Sequence, residues 1–379
     1  HWRGPTRDGI SPEAQWSHDW PAQGPRMLWS TNVGTGFSSV AVGSGRVFTM
    51  GNVSAVDTIH ALDAETGRTI WKHSYPCDLD PLYYEGGPGA TPSVADGRVF
   101  TFSKKGHVFC LDAETGKVVW TVNIRDELAL ELPEWSFAGS PLVHGDLVIL
   151  NAGSAGTALD RTTGRIVWRS GNSPGGYATP VPFDAGGRTA VAVFSAKALV
   201  AVDPADGREL WRYAWESSRD VNAADPLIQG DRMFLSTSSG SVLLKFTEKE
   251  VSTVWERKRF YLNYFNPSVL IDGHIYGLDG TTHRATALSC LEWETGELKW
   301  KEPGFGSGGW VAADGKLLLL DKGELIVVKA APSGYEQLAR AQVLNGKCWT
   351  APVLANGLVY ARNANGDLVC VDLRLKSEG

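Results

Sequence analysis

Cysteine is scarce and scattered: five in 379 residues, none next to another and none in a Cys-x-x-Cys pair. That excludes a disulfide framework, a zinc ribbon and a covalent haem site of the Cys-x-x-Cys-His type. Long apolar runs are missing as well. The longest aliphatic stretches, such as Leu317 to Leu320, fall far short of the roughly 20 residues that a helix needs to span a bilayer. Basic clusters are also absent, with 36 Lys and Arg dispersed against 42 Asp and Glu for a net charge of -6. Nucleic acid is therefore not an expected partner, since a phosphate backbone calls for a positive stripe. The eight histidines, His60, His73, His107 and His283 among them, show no HxH or HxxxH spacing, so no metal site is expected. The glycine-rich stretch Gly304 to Gly309 lacks the Lys-Ser/Thr ending of a phosphate loop and reads as a turn. No leader precedes His1 in this numbering, so an export signal is either absent or already removed.

What the chain has in abundance is one phrase. ALDAETGRTIW ends at Trp71, CLDAETGKVVW at Trp120, ALDRTTGRIVW at Trp168, AVDPADGRELW at Trp211 and CLEWETGELKW at Trp300, with a decayed copy ending at Trp255. Successive tryptophans lie 49, 48, 43, 44 and 45 residues apart, the period of a four-stranded propeller blade. Within each unit a short small-residue strand meets a two-residue turn such as Asp96-Gly97, Asp272-Gly273 or Asn356-Gly357, where left-handed backbone favours Gly, Asn or Asp. Eight such hairpins can be counted. The aspartate of the Asp-x-x-x-Gly turn (Asp63, Asp112, Asp160, Asp203) reads as a turn acceptor and not as a catalytic acid. Cys110, Cys290 and Cys370 fill the slot of Ala61 and Ala201 and read as buried strand residues. Cys77 and Cys348 fall in two separate junctions, and their pairing stays open.

One indole per blade offers a stiff apolar wedge between neighbouring sheets. Trp29, Trp71, Trp120, Trp168, Trp211, Trp255 and Trp300 are read as structural docking residues, each worth about 3 to 5 kcal/mol if fully buried. Two units depart from the pattern and are expected to be the least regular: blade five has Thr247 and Val251 where Asp and Gly recur, and blade seven has Leu338 in the tryptophan slot. The last unit stops after its third strand, Val369 to Asp372, whereas Pro25 to Thr31 with Trp29 reads as a free fourth strand. The N-terminal strand is thus expected to complete the last blade and leave no open ring edge. The expected fold is an all-β, eight-bladed propeller of four-stranded antiparallel blades. It comprises an extension over 1–24, a closing strand over 25–31, and blades over about 38–75, 87–124, 136–171, 176–215, 221–258, 263–303, 304–343 and 347–373 of a single domain running to 379.

The tandem Ala-x-Asp-x-x-x-Gly-x-x-x-Trp phrase resembles the tryptophan docking repeat of pyrroloquinoline-quinone-type propellers. That family divides into quinoprotein dehydrogenases and a non-catalytic branch typified by the outer-membrane assembly lipoprotein BamB. The dehydrogenase pattern calls for adjacent cysteines under the quinone, calcium ligands and a catalytic aspartate, and no position here matches them. The resemblance therefore implies no bound quinone or calcium and favours the BamB-like branch. The opening Trp2-Arg3-Gly4-Pro5 with Arg7-Asp8-Gly9 resembles the start of exported members of the repeat family, which implies a periplasmic or secreted location.

Junction length locates a candidate site. Pro76 to Gly89 and Arg125 to Gly139 exceed hairpin length, as binding loops do. With the other junctions they bring Tyr83, Tyr84, Glu85, Glu134, Trp135, Tyr177, Arg219, Asp220, Asp225, Tyr264, Asn266, Trp310 and Trp349 toward one rim as ligand-binding candidates. Ser38, Ser39, Thr91, Ser140, Thr179 and Thr350 head the inner strands and are expected to ring the channel mouth. Aromatic faces with amides and acids between them suit a protein segment or a glycan; the same rings serve equally as a plug of the central channel. The expected function is an exported, non-catalytic scaffold that binds a protein partner or glycan. The alternatives are a carbohydrate-active lyase or hydrolase using carboxylates of that face, or a quinone-dependent dehydrogenase. Catalytic residues and oligomeric state are not legible.

Overall fold

The computed structural model describes residues 1–282 and 286–375; His283 lies outside them. Eight antiparallel sheets, each with four strands of one blade, are arranged in a ring. Blade 1 runs Ala41–Gly43, Arg46–Val53, Val56–Asp63 and Thr69–Pro76 from the channel outward. Turn chemistry follows residue order. Asp96 and Gly97 both have positive φ, at 48° and 71°, which is the type I′ form. Where the order is reversed, in Gly145-Asp146 and Gly230-Asp231, only the glycine is left-handed, as type II′ requires. Asp63 Oδ1 accepts from the Thr66 amide at 2.9 Å and its hydroxyl at 2.7 Å, and Asp112 and Asp160 hold their turns in the same way.

Each docking indole joins two blades. Trp29, Trp71, Trp120, Trp168, Trp211, Trp255 and Trp300 donate from Nε1 to the carbonyls of Ala64, Ala113, Arg161, Pro204, Thr247, Trp293 and Ala331, each on the next blade, at 2.8–3.1 Å. The turn glycine of that next blade lies under the ring. A Cβ added at Gly67, Gly116, Gly164 or Gly207 would stand 2.5 Å from the indole of the preceding blade. Glycine there is thus demanded twice, by its left-handed backbone and by the close approach of the ring.

Blades five and seven are not the irregular ones expected. Thr247 Oγ1 accepts from the Lys249 and Glu250 amides at 3.3 and 3.1 Å, replacing the aspartate, and the outer strand Val251–Lys258 spans eight residues. Blade seven has four complete strands and gains a fifth. The reason is that a hydroxyl caps a turn as a carboxylate does, while strand pairing is a property of the backbone. The ring closes as the two chain ends imply: Arg26–Asn32 pairs antiparallel with Asp367–Asp372, Arg26 opposite Asp372 and Asn32 opposite Asp367. Arg362, 1% exposed, clamps this joint, donating to the Ser38, Met50 and Gly34 carbonyls of the blade 1 side at 2.7–3.0 Å.

The first 24 residues form a strap across the face of the two-residue turns. Ile10–Ser11 adds in parallel to the inner strand of blade 7, Gly309–Ala313. The Glu13 carboxylate accepts from the Asn356 and Gly357 amides at the turn of blade 8. Trp16, 4% exposed, sits among Leu318, Leu354 and Leu373, in the seam between blades 7 and 8. This is the one joint whose repeat carries leucine instead of tryptophan, so an indole from outside the repeat fills it.

Candidate functional site

The segments joining each outer strand to the next inner strand gather on the face opposite the strap, and the junction of blades 1 and 2 spans its mouth. Three consecutive residues there reach three different partners. Tyr83, 76% exposed, carries the Arg219 guanidinium 5.4 Å from its ring centroid. Tyr84 packs on Phe37 at 5.4 Å between centroids. Glu85 pairs with Lys347 at 2.8 Å. The fan is possible because the loop bends sharply: Asp80 and Tyr83 have φ of 48° and 62°, followed by Gly86 and Gly87 at 81° and 84°. Its base is tied by the Asp80–Lys105 ion pair and by the Gly87 amide on the Leu79 carbonyl.

An aromatic track continues from there. Phe37 meets Trp349 at 5.7 Å, Trp349 meets Phe265 at 5.3 Å, and Phe265 meets Tyr264 at 5.1 Å. Lys347 stands 4.4 Å over the Trp349 ring. On the other side Arg219 pairs with Glu134 at 2.8 Å, and Trp135 lies edge-on to Tyr177 at 6.1 Å, its amide donating to the Tyr177 hydroxyl. Burial pushes the Tyr84 hydroxyl up to about 12 and raises that of Tyr264. These phenols are therefore neutral donors at any physiological pH. Phe37, Phe265 and Lys347 belong to this surface although sequence reasoning passed over them. The signal was available: Phe37, Phe265 and Trp349 each stand directly before Ser38, Asn266 and Thr350, at the head of an inner strand.

Four expected site residues are placed differently from this group. Asp220 pairs with Lys197 at 2.7 Å. Asn266 is buried and donates to the Gly308 and Trp349 carbonyls at 2.8 and 3.1 Å, so it positions Trp349 and is itself covered. Trp310 is 6% exposed and packs with Tyr276 and Leu319 in the core between blades 6 and 7. Asp225 is buried in the channel and turns toward the strap. It accepts from Trp2 Nε1 at 2.8 Å and from the Thr179 amide at 2.7 Å. Burial raises its carboxyl to about 6, against the pull of Arg3.

Asp225 also ends a belt of hydrogen bonds around the channel. The amide of Ser39 donates to Thr91 Oγ1, that of Thr91 to Ser140 Oγ, that of Ser140 to Thr179 Oγ1, and that of Thr179 to Asp225, all at 2.7–3.1 Å. The hydroxyls expected at the channel mouth thus knit blade to blade and are buried. Three acids of the loop face are engaged by cations: Glu85 by Lys347, Glu134 by Arg219 and Asp220 by Lys197. What the face presents is an aromatic surface with paired charges at its margins.

Comparison with known proteins agrees with this architecture. A sequence model of the family described as outer membrane protein assembly factor BamB matches residues 13–87 and 57–302. Outer membrane protein assembly factor BamB of Yersinia pestis is 25% identical over 353 residues, covering 91% of this chain and 77% of that protein. Among solved structures, BamB from Moraxella catarrhalis superposes with a TM-score of 0.65 at 15% identity, over 93% of this chain and 99% of that one. The quinohemoprotein alcohol dehydrogenase from Comamonas testosteroni superposes with a TM-score of 0.72 at 15% identity, over 98% of this chain and 80% of that one. At such identities the structural likeness speaks for the fold alone.

Proposed function

Because this chain belongs to the family of outer membrane protein assembly factor BamB, a branch of the pyrroloquinoline-quinone-type repeat propellers, we propose that it is a non-catalytic scaffold of the cell envelope, periplasmic or exported, whose loop face binds an extended segment of a protein partner. The observation that carries this reading is the track Tyr84–Phe37–Trp349–Phe265–Tyr264, flanked by the Lys347–Glu85 and Arg219–Glu134 pairs. Aromatic rings bury large areas with little entropy to lose, and pre-paired charges at the rim set orientation and register.

A hydrolytic role draws no support from the candidate acids of the same face, because acid–base chemistry needs two free carboxylates that face one another, and Glu85, Glu134 and Asp220 are each held by a cation. Nor do the residues suit a quinone with calcium. All five cysteines are free and buried, and none is adjacent to another, so the cysteine pair of the dehydrogenase pattern has no counterpart. The test places benzoylphenylalanine at Tyr83 and, as a control, at Val254 on an outer strand, in cells producing the protein. A discrete polypeptide adduct from position 83 and none from 254 is expected. Absence of any adduct at 83, together with tight binding or cleavage of a glycan in an oligosaccharide panel, overturns the proposal, as does saturable binding of quinone with calcium.

A further inference from the structure

Asparagine followed by glycine occurs three times in the chain, at 345–346, 356–357 and 365–366, and the structure treats the three pairs unequally. Asn356-Gly357 is a two-residue turn under the strap, where the Gly357 amide donates to Glu13 Oε2 at 2.7 Å and the glycine is buried. At Asn365-Gly366 the glycine amide donates to the Asn363 carbonyl at 3.2 Å, and Gly366 is buried against the Gly34 backbone. At Asn345-Gly346 both residues are exposed, and among the described residues the Gly346 amide has no hydrogen-bond partner. A Cβ added at Gly346 would meet nothing within 4 Å. This third pair lies in the junction that leads from the outer strand of blade 7, Gln337–Gln342, to Lys347 and Trp349 of the aromatic face.

We propose that Asn345 is a site of spontaneous deamidation, which gives the loop face a negative charge that grows with the age of the protein. The Gly346 amide nitrogen, once it loses its proton to water, attacks Asn345 Cγ; a C–N bond forms, ammonia leaves, and a cyclic succinimide results. Water then opens either carbonyl of the ring, so the net change is amide plus water to carboxylate plus ammonium, with no other reactant. Glycine permits the attack because it has no Cβ to crowd the nitrogen, and an unbonded amide gives up its proton more readily than one held in a buried hydrogen bond. When the ring opens at the main-chain carbonyl, the chain runs on through the former side chain and is longer by a methylene. The Asn345 carbonyl oxygen, which accepts from Asn363 Nδ2 at 2.9 Å, then belongs to a free carboxylate. Either product sets a negative charge two residues from Lys347, where it competes with Glu85 for the ammonium. The reaction itself does not depend on what the loop face binds.

The test is to age the whole protein in mildly alkaline buffer, well below its melting temperature, and to map its peptides by mass spectrometry, with isoaspartate scored by enzymatic methylation. Modification at 345 should run about tenfold or more ahead of that at 356 and 365, the factor by which a held and buried amide proton slows the attack. In urea the three sites should react at similar rates. Asn345→Gln, which keeps the main-chain carbonyl for Asn363, should abolish the leading site. Equal rates at the three sites of the native protein, a lead by 356 or 365, or no reaction at 345 while the urea-unfolded protein reacts would each overturn the inference. Amide exchange over 345–350 and 79–87 should quicken in the aged protein and not in aged Asn345→Gln. Modification at 345 that leaves both segments unchanged would overturn the consequence drawn for Lys347 and Glu85.

Discussion

Gly164 and Gly97 form a matched pair that isolates what the docking indole does. Both are left-handed, with φ of 74° and 71°, so replacing either with alanine incurs the same backbone penalty, roughly 1–2 kcal/mol. They differ in what a Cβ would meet. At Gly97 nothing lies within 4 Å, whereas at Gly164 the Cβ would stand 2.5 Å from Cε3 of Trp120. That ring is pinned by its bond to the Arg161 carbonyl at 2.9 Å and is 8% exposed, so it cannot move aside without breaking the bond. Overpacking of that kind costs about 1–3 kcal/mol more. Gly164→Ala should therefore be less stable than Gly97→Ala by that margin. In a Trp120→Leu background the margin should vanish, because the smaller side chain leaves room for the methyl group. Urea unfolding of the three single and two double variants, analysed as double-mutant cycles, measures the coupling. Equal losses for the two alanine variants, or an unchanged margin in the leucine background, would refute the claim that the ring adds to the demand of the turn for glycine at position 164.

Other expectations follow from the same contacts. Trp16→Ala should destabilise the protein by about 3–5 kcal/mol, with faster amide exchange concentrated in the outer strand of blade 7 and the inner strand of blade 8; an effect spread evenly around the ring would deny Trp16 its place in that seam. Two buried groups oppose each other in acid. Burial holds His60 down to about 4, so its share of stability is lost as pH falls from 6.5 toward 4, while burial lifts Asp225 to about 6, so its penalty is relieved as pH falls from 6 toward 3.8. At 1.36 kcal/mol per unit each amounts to roughly 3 kcal/mol. The two should nearly cancel: Asp225→Asn should become acid-labile across that window and His60→Gln acid-stabilised, and parallel pH profiles for the two variants would contradict the assignment. Burial also pushes the thiols of Cys77 and Cys370 up to about 12 and those of Cys110, Cys290 and Cys348 up to about 11. A native protein should thus leave all five unlabelled by a thiol reagent at neutral pH, and urea should expose all five; rapid labelling of any in the native state would count against its burial.

The wheel was legible because its information is periodic. A phrase repeated every 43 to 49 residues implies nearest-neighbour contacts between identical units, and such contacts are encoded wherever the phrase recurs. From that came the blades, the docking tryptophans, the two-residue turns and the closing strand carrying Trp29. The tertiary structure decided whatever lies outside the period. Nothing in the order of residues says that Trp16 packs in the seam of blades 7 and 8 beside Leu338, that Asp225 faces Trp2 across 223 positions, or that Trp310 turns into the core while Phe37 and Phe265 turn to the surface. A strap and a set of junctions find their partners only once the ring exists, because those partners come from blades far apart in the chain, and the free energy that selects them is burial and pairing on a surface that local sequence does not contain.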